Sequence, residues 1–111
     1  MPKKADPSLP YAMLDMLILR TLVSGPLHGY GITLKIHESS SQLLRVEEGS
    51  LYPALHRLEQ TGALAADWRT TENNRRAKFY SLTAKGRKLL TEEQRDYERV
   101  TEGIARVLRF A

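Results

Sequence analysis

The sequence contains no cysteine, and histidine occurs only three times. The absence of thiols excludes a disulfide framework, a thiolate metal site and a cysteine nucleophile, and three scattered histidines make no metal set. Only 7% of the residues are aromatic, with a single tryptophan. No apolar run approaches the length that crosses a membrane. We therefore expect a protein with no metal, cofactor or membrane span.

Residues 1–6 are polar and basic, and no apolar stretch behind them is long enough for a signal peptide. We expect a flexible basic arm over residues 1–10, carrying Lys3 and Lys4, and a cytoplasmic protein. The 111 residues, 41% apolar and 27% charged, are typical of one globular domain. A domain of this size has a modest core, so a second subunit would help to bury its apolar surface.

The net charge of +4 is spread evenly, because residues 1–82 and residues 83–111 each contribute +2. Overall charge therefore permits binding to a polyanion without demanding it. Local clustering is more informative. Arg75, Arg76 and Lys78 stand together in one short polar stretch, where they are expected to meet phosphates.

Catalytic motifs are lacking. No serine, histidine and carboxylate context resembles a nucleophile site, and no glycine-rich phosphate loop is present. The spacing of Gly25, Gly29 and Gly31 does not match a dinucleotide fingerprint. The sequence therefore predicts that the protein is not an enzyme.

Helical periodicity predicts helices over residues 11–23, 29–38 and 48–62, and a long helix from an N-cap at Thr83 to about residue 109. The first helix carries two apolar stripes and so requires two packing partners. In the second helix, Gly29 and Gly31 lower helix propensity and indicate that the backbone there closely approaches another element. His28 is expected to cap or pack at the start of this helix rather than bind a metal.

The third helix is the most informative segment. Ser50 is placed at or near its N-cap and Pro53 in its first turn. Four residues, Leu51, Ala54, Leu55 and Leu58, form an inward stripe. The opposite face is rich in hydrogen-bonding groups, as a helix that contacts base edges and phosphates requires. The residues predicted to contact DNA from this helix are Ser50, Tyr52, Pro53, His56 and Arg57.

Two short strands are predicted next, over residues 64–69 and 77–82. Their seven-residue connection is polar and should protrude as a hairpin, or wing. The residues predicted to contact DNA from this wing are Asn73, Asn74, Arg75, Arg76 and Lys78.

In the last helix apolar residues recur every seven positions, which is typical of a seam against a facing helix. Because no later helix can supply one, the expected partner is a second copy of the chain, with the first helix completing the seam. The predicted dimer interface comprises Leu14, Leu17, Leu90, Tyr97, Val100, Ile104, Val107 and Leu108.

These elements predict a mainly α fold with a small β-hairpin, of the α+β class: a winged helix-turn-helix with a long C-terminal dimerisation helix. We expect a winged-helix DNA-binding domain over residues 1–82 and a dimerisation helix over residues 83–111. The expected partners are double-stranded DNA and a second copy, with room for a small aromatic or apolar effector at the dimer interface.

Four ordered segments, LDMLILRTL, GPLHGYGI, EGSLYPALHRLE and ENNRRAKFYSLTAKGR, resemble the PadR family of bacterial transcriptional regulators over residues 14 to about 90. The resemblance implies a winged-helix homodimer that represses transcription at an inverted-repeat operator. It matches the branch with one C-terminal helix. In some members a tryptophan of that helix stacks on flat aromatic ligands, whereas the only tryptophan here, Trp68, lies on a predicted strand.

Each of these residues also has a purely structural interpretation. Tyr52, with Tyr30 and Tyr80, could cap the core, and His56 could be a solvated surface residue. The basic cluster could be an ordinary charged hairpin. For the whole chain, the alternative is a winged-helix module that binds proteins and never contacts DNA. Such a module would show an exposed apolar patch in place of a basic wing.

Overall fold

Four helices and a small antiparallel sheet make up the fold. A computed structural model describes Leu9 and residues 11–111, so the expected basic arm lies, apart from Leu9, outside the described residues. None of the described helices is both long enough and apolar enough to cross a membrane. In chain order the elements are α1 (Tyr11–Thr21), β1 (Leu27–His28), α2 (Gly29–Ser39), α3 (Glu48–Gln60), β2 (Leu64–Thr70), β3 (Arg76–Leu82) and α4 (Ala84–Leu108).

The predicted fold class is confirmed, with one strand more than expected. The sheet has the order β1-β3-β2, and β1 pairs with the inner strand through Leu27 opposite Tyr80 and His28 opposite Phe79. A two-residue strand is too short to show alternation in the sequence. It nevertheless matters for the site, because it holds the start of α2 against the hairpin.

The core is built around α1, which contacts α2, α3 and α4. Leu14, at 2% exposure, and Leu90, at 6%, both belong to this core. They therefore do not form part of an exposed dimer face in this conformation, and Leu17 is half-buried against the same core. The most deeply buried large side chains are Ile18, Leu19, Leu22, Ile32, Leu51 and Leu55.

α3 begins at Glu48, as the predicted range has it, but its N-cap differs from the prediction. The N-cap is Glu47, which makes no side-chain cap hydrogen bond, and Ser50 is the third residue of the helix. Pro53 consequently lies in the second turn, where its missing N–H leaves the carbonyl of Gly49 without its usual helical partner. Serine and proline both favour the beginning of a helix, so the sequence pattern located the N-cap three residues too late.

The turn from β3 into α4 is fixed by Thr83, the N-cap predicted for this helix. Its side-chain oxygen lies 2.7 and 2.9 Å from the carbonyl oxygens of Gly62 and Ala63 and accepts a 3.0 Å hydrogen bond from the N–H of Gly86. Gly86 is buried here, and a Cβ at this position would stand only 2.1 Å from the Ala63 carbonyl oxygen. Only glycine lets α4 leave the sheet at this angle.

Gly86→Ala should therefore destabilise the fold by about 3 kcal/mol, because backbone atoms must move to admit the methyl group. Gly49→Ala is the matched control, since a Cβ in the first turn of α3 meets nothing within 4 Å. It should raise stability by roughly 0.5 to 1 kcal/mol through the lower chain entropy of alanine. Urea unfolding followed by circular dichroism measures both, and equal midpoints would contradict the close approach at Gly86.

Candidate nucleic-acid interface

The exposed face of α3 carries four of the five residues of this helix that are predicted to contact DNA. Its buried stripe, Leu51, Ala54, Leu55 and Leu58, is the predicted one. Opposite this stripe Ser50, Tyr52, Pro53 and His56 are exposed. The helix thus presents hydroxyl, imidazole and aromatic groups to solvent.

The wing is a tighter hairpin than the sequence predicts. Both strands extend by one residue, through Thr70 and Arg76, so residues 71–75 form the connection. The N–H of Thr71 donates to the carbonyl of Arg75 at 2.6 Å, and the N–H of Asn74 donates to the carbonyl of Thr71 at 2.9 Å. Asn74 adopts a φ of 59°, which asparagine tolerates better than most residues. These bonds hold the polar tip in one shape.

A groove of about 610 Å³ separates the wing from the helices, and we call it the wing groove. It brings together Tyr52 of α3 with four of the predicted wing residues, whereas Ser50, Pro53, His56 and Asn74 do not line it. No carboxylate is among its lining residues in the described part of the chain. The lining consists of His28, Gly29, Tyr30, Tyr52, Trp68, Thr71, Asn73, Arg75, Arg76, Ala77, Lys78 and Tyr80.

Tyr52 of α3 lies against Gly29 of α2 in the groove wall. A Cβ on Gly29 would lie 2.9 Å from the Tyr52 hydroxyl, which confirms the close approach predicted there. At Gly31 the nearest atom would be 3.4 Å away, an ordinary contact. Tyr52 remains 49% exposed, so one side of its ring covers the start of α2 and the other faces the groove.

His28 caps α2, as predicted. Its Nδ1 accepts a 3.0 Å hydrogen bond from the N–H of Gly31, and its ring meets the edge of Phe79 at 5.2 Å between centroids. The histidine therefore joins the start of α2 to the inner strand of the sheet. No group of residues suited to holding a metal ion is found in the described residues.

The three basic residues of the wing are not equivalent. Lys78 forms a 2.9 Å ion pair with Glu59 of α3 and lies over the ring of Tyr80. Its hydrogen bond to Glu59 raises the pKa of Lys78, and burial raises the pKa of Tyr80, so Lys78 stays charged and Tyr80 neutral near pH 7. Arg75 and Arg76 are exposed and form no ion pair with any described residue. They are the cations of the groove that can meet an outside anion without breaking an internal pair.

Arg57 points away from the wing groove. Its guanidinium donates to the carboxylate of Asp15 on α1 at 2.5 Å, and the Arg57 side chain is 41% exposed. Burial raises the pKa of Asp15, an effect that the arginine partly offsets. This contact gives Arg57 a role in joining α3 to α1, which the outward face of the helix did not reveal.

Two exposed aromatic residues of the groove were not among the predicted DNA contacts. Tyr30 on α2 is 69% exposed and Trp68 on β2 is 59% exposed. Strand alternation could have identified Trp68, because it follows Leu64 and Ala66 on one face of the hairpin. The sequence alone gives no sign that this face continues beyond the core into a groove.

A second groove, of about 510 Å³, lies between α1 and α4 and includes Met13, Met16, Leu89 and Ile104. We call it the α1–α4 groove. Its floor is apolar and its rim carries Glu92, Glu93 and Asp96. Of the predicted interface residues, Tyr97, Val100, Ile104, Val107 and Leu108 are all exposed along α4.

Comparisons with known proteins agree on one family. The model of the transcriptional regulator PadR-like family matches residues 18–92. Over 93 residues the chain is 34% identical to the transcriptional regulator Rv3488 of Mycobacterium tuberculosis, covering 84% of this chain and 83% of that protein.

Solved structures give the same picture. A transcriptional regulator from Clostridium thermocellum is similar with a TM-score of 0.78 at 27% identity, over 86% of this chain and 92% of that one. A PadR family transcriptional regulator from Eggerthella lenta is similar with a TM-score of 0.77 at 27% identity, over 89% and 84% of the two chains.

The rim of the α1–α4 groove leads to a pH-dependent prediction. Burial, and then repulsion from Asp15 and Asp96, raises the pKa of Glu93 above its ordinary value of 4.5. A raised folded-state pKa means that the stability contribution of Glu93 is complete below about pH 4.5 and is lost as pH rises through the folded-state value.

Glu93→Gln should therefore raise the melting temperature at pH 7 and leave it unchanged at pH 4, because the substitution mimics the protonated acid. Glu92→Gln, which removes a charge from an exposed neighbour on the same helix, is the control. Thermal melts between pH 4 and 7 measure the difference. A Glu93→Gln advantage that persisted at pH 4 would contradict the titration of this carboxyl.

Proposed function

Because the chain belongs to the PadR-like family of transcriptional regulators, we propose that it is a cytoplasmic bacterial repressor that binds a pseudo-palindromic operator as a homodimer. Its family and fold are those of regulators and not of enzymes. The observation that carries the proposal is the wing groove, where exposed arginines without internal ion pairs among the described residues stand beside the exposed face of α3.

The proposed contacts divide into two kinds. Arg75 and Arg76 supply affinity for phosphates, with Asn73 and Asn74 hydrogen-bonding at the wing tip. Ser50, Tyr52, Pro53 and His56 face the major groove from α3. Arg57 and Lys78 contribute less than their charge suggests, because each is held in an internal ion pair.

A homodimer is supported by the apolar face of α4. Val107 and Leu108 are 72% and 79% exposed, and Val100 and Ile104 are more than half exposed. Isolated exposed apolar residues are common, but a row along one helix indicates a surface that another molecule covers. We propose that residues 83–111 of two copies pair here and place their α3 helices about one DNA turn, roughly 34 Å, apart.

The proposal includes a small aromatic or apolar effector bound between the protomers. Its support is the apolar floor of the α1–α4 groove, whose volume of about 510 Å³ falls within the range of ligand pockets. A ligand that binds better to one dimer arrangement would shift the equilibrium toward that arrangement, by an amount set by its difference in affinity. The average spacing of the two α3 helices would change with it.

Fluorescence anisotropy on DNA from the protein's own promoter region, with a scrambled competitor at stated salt, tests the proposal. Arg76→Ala should weaken binding to both sequences alike and lower the salt slope by about 0.9 for each phosphate that the arginine neutralises in each half-site. Lys88→Gln, which removes an exposed cation of α4 outside the groove, should leave the slope unchanged.

Two results would count against the proposal. Equal affinity of the unaltered protein for promoter and scrambled DNA would contradict the proposal of a sequence-specific repressor. An unchanged salt slope in Arg76→Ala would contradict the proposed contact between the wing and phosphate. Absence of binding to any duplex at low salt would favour the winged-helix module that binds only proteins.

Ile104→Glu should convert the dimer to monomers, because it places a charge within the apolar row of α4. Lys88→Glu introduces the same carboxylate at an exposed polar position of that helix and should leave the dimer intact. Sedimentation velocity gives the mass of both variants. An intact Ile104→Glu dimer would show that this row is not the interface.

A further inference from the structure

The inner face of the wing changes character along its length. Residues opposite each other on β2 and β3 share a face, so Leu64 with Leu82 and Ala66 with Tyr80 form its base. Tyr80 and Leu64 are buried in the core. The next pair on this face is Trp68 opposite Lys78, and there the core has ended and the wing groove begins.

Trp68 is more exposed than a core residue of its size would be. Phe79, on the other face of the hairpin, is half-buried beneath the guanidinium of Arg69 and the ring of His28. Trp68, by contrast, remains 59% exposed in the groove. Across the groove stand Tyr30 and Tyr52, which are 69% and 49% exposed. The groove is therefore walled by aromatic rings on the helix side and on the wing side.

The charge of the wing groove determines which kind of molecule can bind against these rings. Its lining contains arginines and no carboxylate among the described residues. A polyanion therefore fits better than an apolar protein surface, which would leave Arg75 and Arg76 desolvated without partners. Each of the three rings also carries a hydrogen-bond donor, the indole N–H of Trp68 or a phenol O–H. Apolar rings that end in donors match alternating deoxyribose and phosphate.

We propose that Tyr30, Tyr52 and Trp68 form an aromatic clamp on one strand of the operator backbone, in which Trp68 packs against deoxyribose and donates its indole N–H to a phosphate. The clamp rests on the proposed DNA-binding function and adds a contact that releases no counterion. Its contribution to affinity is consequently independent of salt and of base sequence, unlike that of the arginines, which depends on salt.

The clamp can be followed directly, because Trp68 is the only tryptophan in the chain. Titration with promoter duplex, or with scrambled duplex at low salt, should shift its emission to shorter wavelength and shield it from acrylamide. Trp68→Ala should weaken binding to both duplexes about tenfold for each half-site, through the loss of a hydrogen bond to a charged group and of the packing of the indole, with an unchanged salt slope. Trp68→Phe, which keeps a ring and loses the donor, should bind with intermediate affinity.

Leu43→Ala removes an exposed apolar side chain outside the groove and should bind like the unaltered protein. Circular dichroism establishes that each variant is folded. Unshifted emission on saturation with DNA, or native affinity in Trp68→Ala, would overturn the clamp while leaving the regulator intact. A reduced salt slope in Trp68→Ala would also overturn it, by showing that the substitution had displaced the arginines. If no duplex binds at any salt, the clamp and the proposed function both fall.

Discussion

The burial of α1 on three sides is the constraint on which the rest of the structure depends. This helix has eleven residues and contacts α2, α3 and α4, and four side chains in it or just after its end, Leu14, Ile18, Leu19 and Leu22, are at most 2% exposed. Dense packing of this kind leaves little room for independent sliding of its neighbours. The helix that is proposed to face DNA and the helix proposed to pair with a second copy are thus held against the same short element.

Electrostatic contacts reinforce this connection. Asp15 on α1 accepts a hydrogen bond from the guanidinium of Arg57 on α3, and the charge of Asp15 contributes to the raised pKa of Glu93 on α4. The acidic rim of the α1–α4 groove therefore lies within electrostatic reach of α3. In the proposed dimer, an effector bound at that rim would act on α3 either through this pair or by moving α1, α3 and α4 together. Movement of the three helices together would alter the spacing of the two proposed protomers more than the shape of either one.

The features that could be predicted from the sequence are those that depend on local periodicity. The four helices, the hairpin and the cap at Thr83 follow from patterns within a dozen residues, and they are confirmed. Features that depend on contacts between distant segments could not be predicted: the pairing of β1, the internal partners of Arg57 and Lys78, and the burial of Leu14 and Leu90 within their own chain. An outward position on a helical wheel shows only that a side chain does not belong to the buried stripe of its own helix. It does not distinguish solvent from a neighbouring element with a carboxylate of its own.

The internal ion pairs also reduce the number of cations that the proposed interface can offer to DNA phosphates. With Arg57 and Lys78 engaged inside the protomer, Arg75 and Arg76 are the cations of the wing groove that remain unpaired among the described residues. Two phosphate contacts supply little electrostatic affinity, since each neutralised phosphate contributes only about 0.9 to the magnitude of the slope of log K against log salt. Useful affinity at physiological salt then requires that contacts be doubled by a second protomer or supplemented by contacts that salt does not screen. Exposed apolar residues occur where each of these could form. The face of α4 would pair with the second protomer, and the aromatic walls of the wing groove would supply contacts that salt does not screen.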